Sequence, residues 1–339
     1  VDWARMANPD GTIADIAWLL SQCNDVLKDM IFQEGNLPLG HKTTVSSGLP
    51  QGTWRGNNQG VAATKPMNAQ YQFSIAMLSA YSMVDRAEAK LNGQIGKFRW
   101  NLDQAHIEGM SQQVASAMFY ASEATDPNQF TGFAPFYPTL STATAQTANN
   151  VINAGGSGSA NTSLWSIGWG DNTTFSLFPK GSVAGLQYED KGDVRALYDT
   201  NGNSYEGYTS YFEWKIGLCV KDWRYNVRIA NIDTTTAGLL GATPPDLNAL
   251  MAIAANIPPV STRRMSGITQ SDAPGDPVPG VNRAWYCNRS VRTALDLQAI
   301  RDKNVLLSIK EYAGEPVTMW RDAPVRLVDA LINTEATVA

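Results

Sequence analysis

The chain has 339 residues, of which 43% are hydrophobic, so it can bury the core of one large domain or two modest ones. Only 17% of the residues are charged and the formal net charge is −5, which excludes a globally basic nucleic-acid-binding protein. A surface of amide and hydroxyl side chains is cheaper to bury against a partner, because fewer ions lose their water. This composition favours a subunit of an assembly, although many secreted monomers share it.

Cysteine usage and hydropathy give no sign of a disulfide framework or a membrane span. Cys23, Cys219 and Cys287 are widely spaced and odd in number, which predicts reduced thiols rather than disulfides or a metal-binding CxxC pair. No apolar core follows the opening residues Val1-Asp2-Trp3, so a signal peptide is not expected. The longest apolar tract, 247–257, is too short to cross a bilayer.

The N-terminal residues are interpreted as a short arm, 1–11, followed by a helix. Thr12-Ile-Ala-Asp15 resembles a capping box, and Gly35 suits a helix stop. The sequence therefore predicts a helix over about 12–34. One face of this helix carries Ile13, Ile16, Leu20, Leu27 and Ile31.

Residues 35–84 contain no Asp or Glu and have an extended character. Glycines punctuate the middle of this segment, and Tyr71 and Phe73 alternate with polar residues further on. This pattern predicts a long two-stranded arm with a glycine-rich tip. Such an arm has little core of its own and needs another surface to lie on; the alternative is a surface hairpin that docks on nothing.

Opposite charges in two parts of the chain suggest a contact between subunits. The basic residues of the arm would meet the most acidic region of the chain, at 189–206. Besides the acidic residues named next, this region contains Asp199 and Glu206, and its only basic residues are Lys191 and Arg195. The candidate intersubunit contacts are Lys42, Arg55, Lys65, Glu189, Asp190 and Asp193.

Two helices are predicted after the arm. The first is short, at 80–92, and ends at Asn92-Gly93. The second, at about 101–122, has the longest clean helical period and would form a rod of about 33 Å. Residues 125–163 have no period and indicate a packed irregular segment with a flexible Gly/Ser loop.

The stretch 164–192 is dense in aromatic residues and glycine and predicts strands with tight turns. Residues 163–169 alternate as a strand with one aromatic face. Phe175 and Leu177 predict a second strand that stops at Pro179. Beyond it, Asn201-Gly202 indicates a hairpin turn between strands at 195–198 and 205–211. The strongest strand patterns that follow are 211–220 and 225–232.

The last third of the chain mixes helices and strands. Helices are predicted at 247–257 and 288–303, separated by a proline-rich loop at 258–282. Strands are predicted at 305–309, 317–320 and 324–332, the last of these ending in a turn. Helices and strands in this order predict an α+β protein.

No catalytic, cofactor-binding or metal site is predicted. His41 and His106 are 65 positions apart and are interpreted as packed or solvated side chains. No HExxH, GxSxG or Walker A pattern occurs. Asp199-x-Asn201-x-Asn203 echoes a calcium loop, but Ser204 and Ser210 replace the glycine and glutamate that such a loop requires.

Five stretches of the chain resemble a known family. Taken together, they resemble the major capsid proteins of short-tailed double-stranded-DNA phages of the epsilon-fifteen and Bordetella-phage kind, cover nearly the whole chain and follow the family order. The resemblance implies the Johnson (Hong Kong 97-type) capsid fold. The stretches are LPLGHKTTVSSGLPQGTWRGNNQGV at 37–61, AYSMVDRAEAKLNG at 80–93, FTGFAPFYPTL at 130–140, WGDNTTFSLFPKGSVAGLQYEDKG at 169–192 and PVRLVDALINTE at 324–335.

The resemblance also implies a domain organisation. It identifies the arm with the extended loop that overlaps a neighbouring subunit, and the helix at 101–122 with the long spine helix. The implied divisions are an N-terminal arm and helix at 1–36, the extended loop at 37–74, a peripheral domain at 75–235, a helical axial domain at 236–303 and C-terminal strands at 304–339.

The function implied by the resemblance is structural: a major capsid subunit, made in the bacterial cytoplasm, that self-assembles into hexamers and pentamers of the virion. Expected partners are copies of itself, scaffolding, cement or decoration and portal proteins, and packaged double-stranded DNA held without sequence readout; no membrane is involved. Covalent cross-linking occurs in some relatives, but no motif here indicates it.

Two alternatives remain open at this stage. Tryptophan and tyrosine content suits a secreted carbohydrate-binding or carbohydrate-active β protein, which would lose glycan binding when Trp165 or Trp169 is mutated. Another virion component, such as a tail-tube or decoration protein, would form rings, tubes or surface knobs in place of closed shells.

Overall fold

A mixed β-sheet with helices on its faces organises the chain. The computed structural model describes residues 21–48, 50–192, 195–198, 200–241, 244–258, 281–301, 307–312, 315–321 and 323–339. The predicted arm at 1–11, the first part of the predicted helix at 12–34, and nearly all of the loop predicted at 258–282 lie outside these ranges.

The helices, numbered along the described residues, vary widely in length. They are α1 Val26–Asp29, α2 Arg86–Ala89, α3 Ile95–Tyr120, α4 Phe133–Phe136, α5 Leu247–Asn256 and α6 Arg289–Arg301. Short 3-10 turns occupy Leu91–Gly93, Gln146–Asn150 and Trp223–Tyr225.

The strands include two that are unusually long, β3 and β9. The strands are β1 Phe32–Glu34, β2 Gly40–Gly48, β3 Met67–Asp85, β4 Val151–Asn153, β5 Asn161–Trp169, β6 Thr174–Phe178, β7 Leu186–Asp190, β8 Arg195–Tyr198, β9 Ser204–Val220, β10 Val227–Asp233, β11 Asn282–Cys287, β12 Leu307–Tyr312, β13 Glu315–Trp320 and β14 Ala323–Leu327.

Within the described residues these strands form one 14-stranded sheet. Its main path runs β12-β13-β14-β11-β5-β6-β9-β3-β2, with β7 and β8 on β9, β1 on β6, and β10 joined to both β4 and β5. Parallel pairs such as β5–β6 and β11–β14 alternate with antiparallel pairs such as β3–β9. The predicted α+β class is confirmed.

The central strand β5 confirms the predicted strand with one aromatic face, and it is buried on both faces. All nine residues from Asn161 to Trp169 are buried. Trp165 and Trp169 pack with Phe133 on one side, at ring-centroid distances of 5.9 and 6.0 Å. Leu164 points into a second cluster on the other side, with residues of α5 and α6. Because both faces of β5 lie in the core, the strand lacks the exposed polar face that half-buried strands have.

The predicted helix at 12–34 is wrong over its described part. Only Val26–Asp29 is helical, the backbone of Met30 is extended, and β1 pairs in parallel with β6. The amide of Ser176 donates to the carbonyl oxygen of Ile31 at 2.8 Å. The spacing of the apolar residues here would also suit a helix. Pairing with the buried strand β6 instead decides the backbone conformation.

The predicted helix at 80–92 is correct only in its middle. β3 continues through Asp85 as a partner of β9, and the helix begins after it, at Arg86. The Asp85 carboxylate caps the helix by accepting from the amide of Ala87 at 2.7 Å. Gly93 has a φ of 69° and ends the following 3-10 turn, as the predicted Asn92-Gly93 stop requires.

The long helix α3 confirms the predicted helix at 101–122 and starts six residues earlier, at Ile95. Its 26 residues span about 39 Å. Met110, Val114, Met118 and Phe119 pack into the main core beneath the sheet. The helix ends at Tyr120, and the backbone of the next residue, Ala121, turns to ψ 144°.

Most of the later predictions are confirmed, but the strands β4, β7 and β11 were not foreseen. The hairpin at Asn201-Gly202 joins β8 to β9, and Gly202 has a φ of 83°. α5, α6, β12 and β13 match their predicted positions within a few residues. β11 lies between β5 and β14 and is largely buried, so its sequence lacks alternation.

Candidate intersubunit surfaces

A two-stranded arm extends from the sheet, as predicted. We define the arm as residues 40–74: β2 pairs with the first part of β3, from Gly40 opposite Ser74 to Gly48 opposite Met67. We define its tip as residues 50–66. All the tip residues are exposed, and the chain there forms only a turn. The arm therefore makes strand pairs internally but has no hydrophobic core of its own near the tip.

The arm carries large apolar side chains that are open to solvent. Trp54 at the tip is fully exposed. Val61, Met67 and Tyr71 of the arm, and Leu39 just before it, are all more than half exposed. A row of exposed apolar side chains on a narrow arm marks a surface that contacts a partner.

The base of the arm is anchored to the body of the protein. Phe73 and Ile75 are buried in a small cluster with Phe175 and Leu177. His41 packs edge-on against the ring of Phe175, with ring centroids 5.7 Å apart. Burial, and then the charge of nearby Lys221, lowers the pKa of His41 below its ordinary value. Folding therefore favours the neutral imidazole at the point where the arm leaves the body.

The three basic residues predicted as contacts lie on the arm with exposed side chains. Lys42 exchanges two backbone hydrogen bonds of 2.7 Å with the side chain of Asn36. The guanidinium of Arg55 donates to the carbonyl oxygen of Gln59 at 3.0 Å. Among the described residues, Lys42, Arg55 and Lys65 form no ion pair. Their charges are available to a partner.

The predicted acidic region is partly neutralised within the chain. Asp190 pairs with Arg99 of α3 at 2.9 Å, and the hydrogen bond from Arg99 lowers the pKa of this carboxyl group. Glu189 pairs with Lys191, while Asp193 lies outside the described residues. The sequence places Lys191 two residues from Glu189, so their pairing could be predicted. The pairing of Asp190 with Arg99 could not, because only the fold brings α3 against β7.

The histidines, the possible metal ligands and the two central tryptophans can each be located in the part of the chain that is described. No group of three His, Cys, Asp or Glu residues there could hold a metal ion. His106 stacks on Phe212 at 6.1 Å, in keeping with its interpretation as a packed residue. Trp165 and Trp169 are wholly buried, so neither indole can stack on a sugar, and the carbohydrate-binding alternative loses the two residues on which it depended.

Helix length bears on the question of membranes. Of the helices in the described ranges, none combines the length and the apolarity that crossing a bilayer requires.

Comparison with solved structures defines the class of protein. The chain superposes on the capsid structure of bacteriophage epsilon15 with a TM-score of 0.73 and 32% sequence identity, covering 99% of this chain and 96% of that one. It also matches the capsid of bacteriophage JBD30 (TM-score 0.48, 8% identity, 96% and 99% covered) and the capsid of a native GTA particle (0.46, 9%, 67% and 95%). No match was found among curated proteins. The chain has the Hong Kong 97-type (Johnson) fold of phage capsid proteins.

The chain belongs to the major capsid protein GP7 family, which matches residues 8–339. It is therefore a structural protein of a phage virion. This membership leaves no support for the carbohydrate-binding alternative or for a tail-tube or decoration protein.

Proposed function

We propose that copies of this chain assemble into hexamers and pentamers that close into an icosahedral shell around double-stranded phage DNA. The arm supports this proposal most directly, because its exposed apolar side chains gain a buried environment only against another molecule. The role of the chain is assembly, and we infer that it is not an enzyme.

The energetics of such a shell rest on many modest contacts. Burial of apolar area contributes about 25 cal/mol per Å², less the entropy lost on association. Each subunit meets several neighbours at once, so each further contact forms at a high effective concentration. A closed shell is then stable even though a single pair of subunits binds weakly.

The proposed domain organisation follows the family. Residues 1–36 form the N-terminal arm and helix, 37–74 the extended loop, 75–235 the peripheral domain, 236–303 the axial domain and 304–339 the closing strands. The helices α5 and α6 lie together in the second buried cluster, which they share with β5, β10 and β11, and this pairing supports grouping the two helices in one domain.

The charge pairing is retained as part of this proposal. Lys42, Arg55 and Lys65 on the arm of one subunit meet the acidic region of a neighbour at Glu189, Asp190 and Asp193. Support comes from the cations of the arm, which form no ion pair within the described ranges, and from the partial exposure of the Glu189 and Asp190 side chains, 60% and 41%. The intrachain partners Lys191 and Arg99 limit how much these carboxylates contribute.

Other virion components complete the proposal. Scaffolding, cement or decoration and portal proteins are the partners expected of a capsid subunit. DNA would be confined by the container without sequence readout, which suits a chain with a net charge of −5.

Size-exclusion chromatography with negative-stain electron microscopy tests the proposed function. The purified chain, alone and co-expressed with the other assembly proteins of its phage, should give capsomer rings or closed shells. A monomer under both conditions at high concentration would contradict the proposal.

A further inference from the structure

Two arginine residues come together where β11, β13 and β14 lie side by side. The parallel register of β11 with β14, extended by two residues, puts Arg283 beside Ala323. Ala323 lies opposite Trp320 of β13, and Arg321 follows in the turn between β13 and β14. The backbones of Arg283 and Arg321 are therefore about 10 Å apart, which is two strand spacings. Two long side chains can reach a common point across this distance.

Arg283 is a partly buried cation without a carboxylate partner in the described part of the chain. Its Nη1 donates to the carbonyl oxygen of Ala255, in the last turn of α5, at 3.1 Å. Burial, and then the positive charge of Arg321, lowers the pKa of Arg283 to about 10. No Asp or Glu within the described ranges forms an ion pair with it. A guanidinium has five N–H donors, so most of them remain after the contact with α5.

Arg321 occupies a turn position that does not favour arginine. Its φ is 52°, in the left-handed region that glycine and asparagine adopt more readily. The guanidinium Cζ lies over the buried ring of Trp320, 4.9 Å from the ring centroid. Arg321, like Arg283, forms no ion pair with a described residue. A strained backbone that holds a cation beside a second cation indicates a functional role for this side chain.

The surroundings of the two arginines have more hydrogen-bond donors than acceptors. The rings of Trp285 and Trp320 have their centroids 5.5 Å apart, and both Nε1 atoms are buried without an acceptor among the described residues. The C-terminal end of α5 contributes a partial negative charge of about half an elementary charge. Most of the positive charge of the two guanidinium groups is therefore uncompensated by the described residues, and a bound anion would stabilise both groups.

We propose that Arg283 and Arg321 form a binding site for a phosphate group, either the free ion or a phosphodiester of the enclosed DNA. A guanidinium presents parallel N–H groups that match the oxygens of phosphate, so two arginines can hold one phosphate between them. Binding also relieves the repulsion between the two cations. The site goes beyond the proposed function, and only DNA as the source of the phosphate rests on that function.

Titration with inorganic phosphate tests the site. The unassembled full chain is titrated by calorimetry at constant ionic strength, and its melting temperature is compared in phosphate and in chloride. Saturable binding of one phosphate per chain and a higher melting temperature in phosphate are expected, because a ligand that binds only the folded state stabilises it. Equal melting temperatures in the two salts, together with no heat of binding, overturn the proposal.

Substitutions at position 321 separate binding from folding. Arg321→Gly removes the guanidinium and suits the positive φ, so the melting temperature in chloride should equal or exceed that of the wild type, whereas the response to phosphate should be lost. Arg321→Lys keeps the charge without the fork of N–H groups and should weaken phosphate binding about tenfold. A phosphate response that survives unchanged in Arg321→Gly overturns the proposal.

Two further variants test the second arginine and the specificity of the effect. Arg283→Gln should weaken phosphate binding by about tenfold or more, because it removes a hydrogen-bonding partner that carries charge. Arg55→Gln is the matched control, because Arg55 is an exposed arginine that also forms no ion pair within the described ranges. It should leave the phosphate response unchanged; a loss equal to that in Arg283→Gln would show nonspecific association and overturn the site.

A short DNA duplex distinguishes the two sources of phosphate. Duplex binding that is lost in Arg321→Gly and retained in Arg55→Gln identifies a DNA phosphodiester as the ligand, whereas binding of inorganic phosphate alone identifies the free ion. Either result upholds the site. Because these measurements use the unassembled chain, a chain that forms closed shells but does not respond to phosphate overturns this inference and leaves the proposed function standing.

Discussion

Arg228 and Glu335 form a buried ion pair that ties the C-terminal segment to the centre of the sheet. The guanidinium Nη2 lies 2.9 Å from the carboxylate Oε2, and each residue is 5% exposed. Glu335 also accepts hydrogen bonds from the hydroxyls of Tyr120 on α3 and Ser163 on β5. One carboxylate thus links α3, β5, β10 and the C-terminal segment.

Removing this carboxylate should destabilise the protein strongly. Glu335→Ala leaves the charge of Arg228 buried without its partner, so the free energy of unfolding should fall by about 3–5 kcal/mol in urea denaturation of the unassembled chain. Glu189→Ala, which removes an exposed carboxylate paired with Lys191, should cost less than about 1 kcal/mol. Equal losses in the two variants would show that the buried pair does not hold the C-terminal segment.

Two glycines near α3 should respond in opposite directions to alanine. A Cβ at Gly132 would lie 2.5 Å from the carbonyl oxygen of Ala117 and 2.8 Å from that of Met118, so Gly132→Ala should lower the unfolding free energy by about 1–3 kcal/mol. Gly109 is exposed within the helix and a Cβ there meets nothing within 4 Å, so Gly109→Ala should raise it by up to about 1 kcal/mol. Thermal melts of both variants check the pair; a stabilised Gly132→Ala would refute the close packing.

The base of the arm should loosen as the pH falls. The pKa of His41 is lowered in the folded protein, chiefly by burial, so folding favours its neutral form. Its contribution to stability is full above the unfolded pKa of 6.5 and is lost as the pH falls from there through the folded pKa. Hydrogen exchange of the amides of β2 should therefore accelerate, relative to the rest of the sheet, below about pH 6.5. His41→Gln should abolish that dependence; its persistence in the variant would assign the effect to another group.

Reversing the charge of the arm should impair assembly without affecting the fold. Arg55→Glu with Lys65→Glu places negative charge on exposed tip residues, so the melting temperature should stay within about 2 °C. The yield of oligomers should fall, because the reversed arm now meets an acidic surface on its neighbour. Lys180→Glu, which reverses a charge on the body, serves as the control. Normal assembly of the double variant would rule out the proposed charge pairing.

The sequence predicts best those elements whose signals are local. The hairpin at Asn201-Gly202, the helix α3 and the glycine-rich arm each follow from periodicity or turn chemistry within one stretch. The fold itself came from resemblance to a family, because periodicity does not specify how the strands are ordered.

The misses have a common cause in contacts between distant parts of the chain. β1 is a strand because β6 lies beside it, and β11 is a strand because it lies between β5 and β14. At the candidate surfaces, exposure of the basic residues was predictable, whereas the pairing of Asp190 with Arg99 needed the fold.

The most direct test of the account is an electron cryomicroscopy reconstruction of the assembled particle at a resolution that traces the chain. The account predicts a closed shell in which residues 40–74 of each subunit lie over the neighbouring subunit. Arms that fold back onto their own subunit, or particles that are not closed shells, would contradict it.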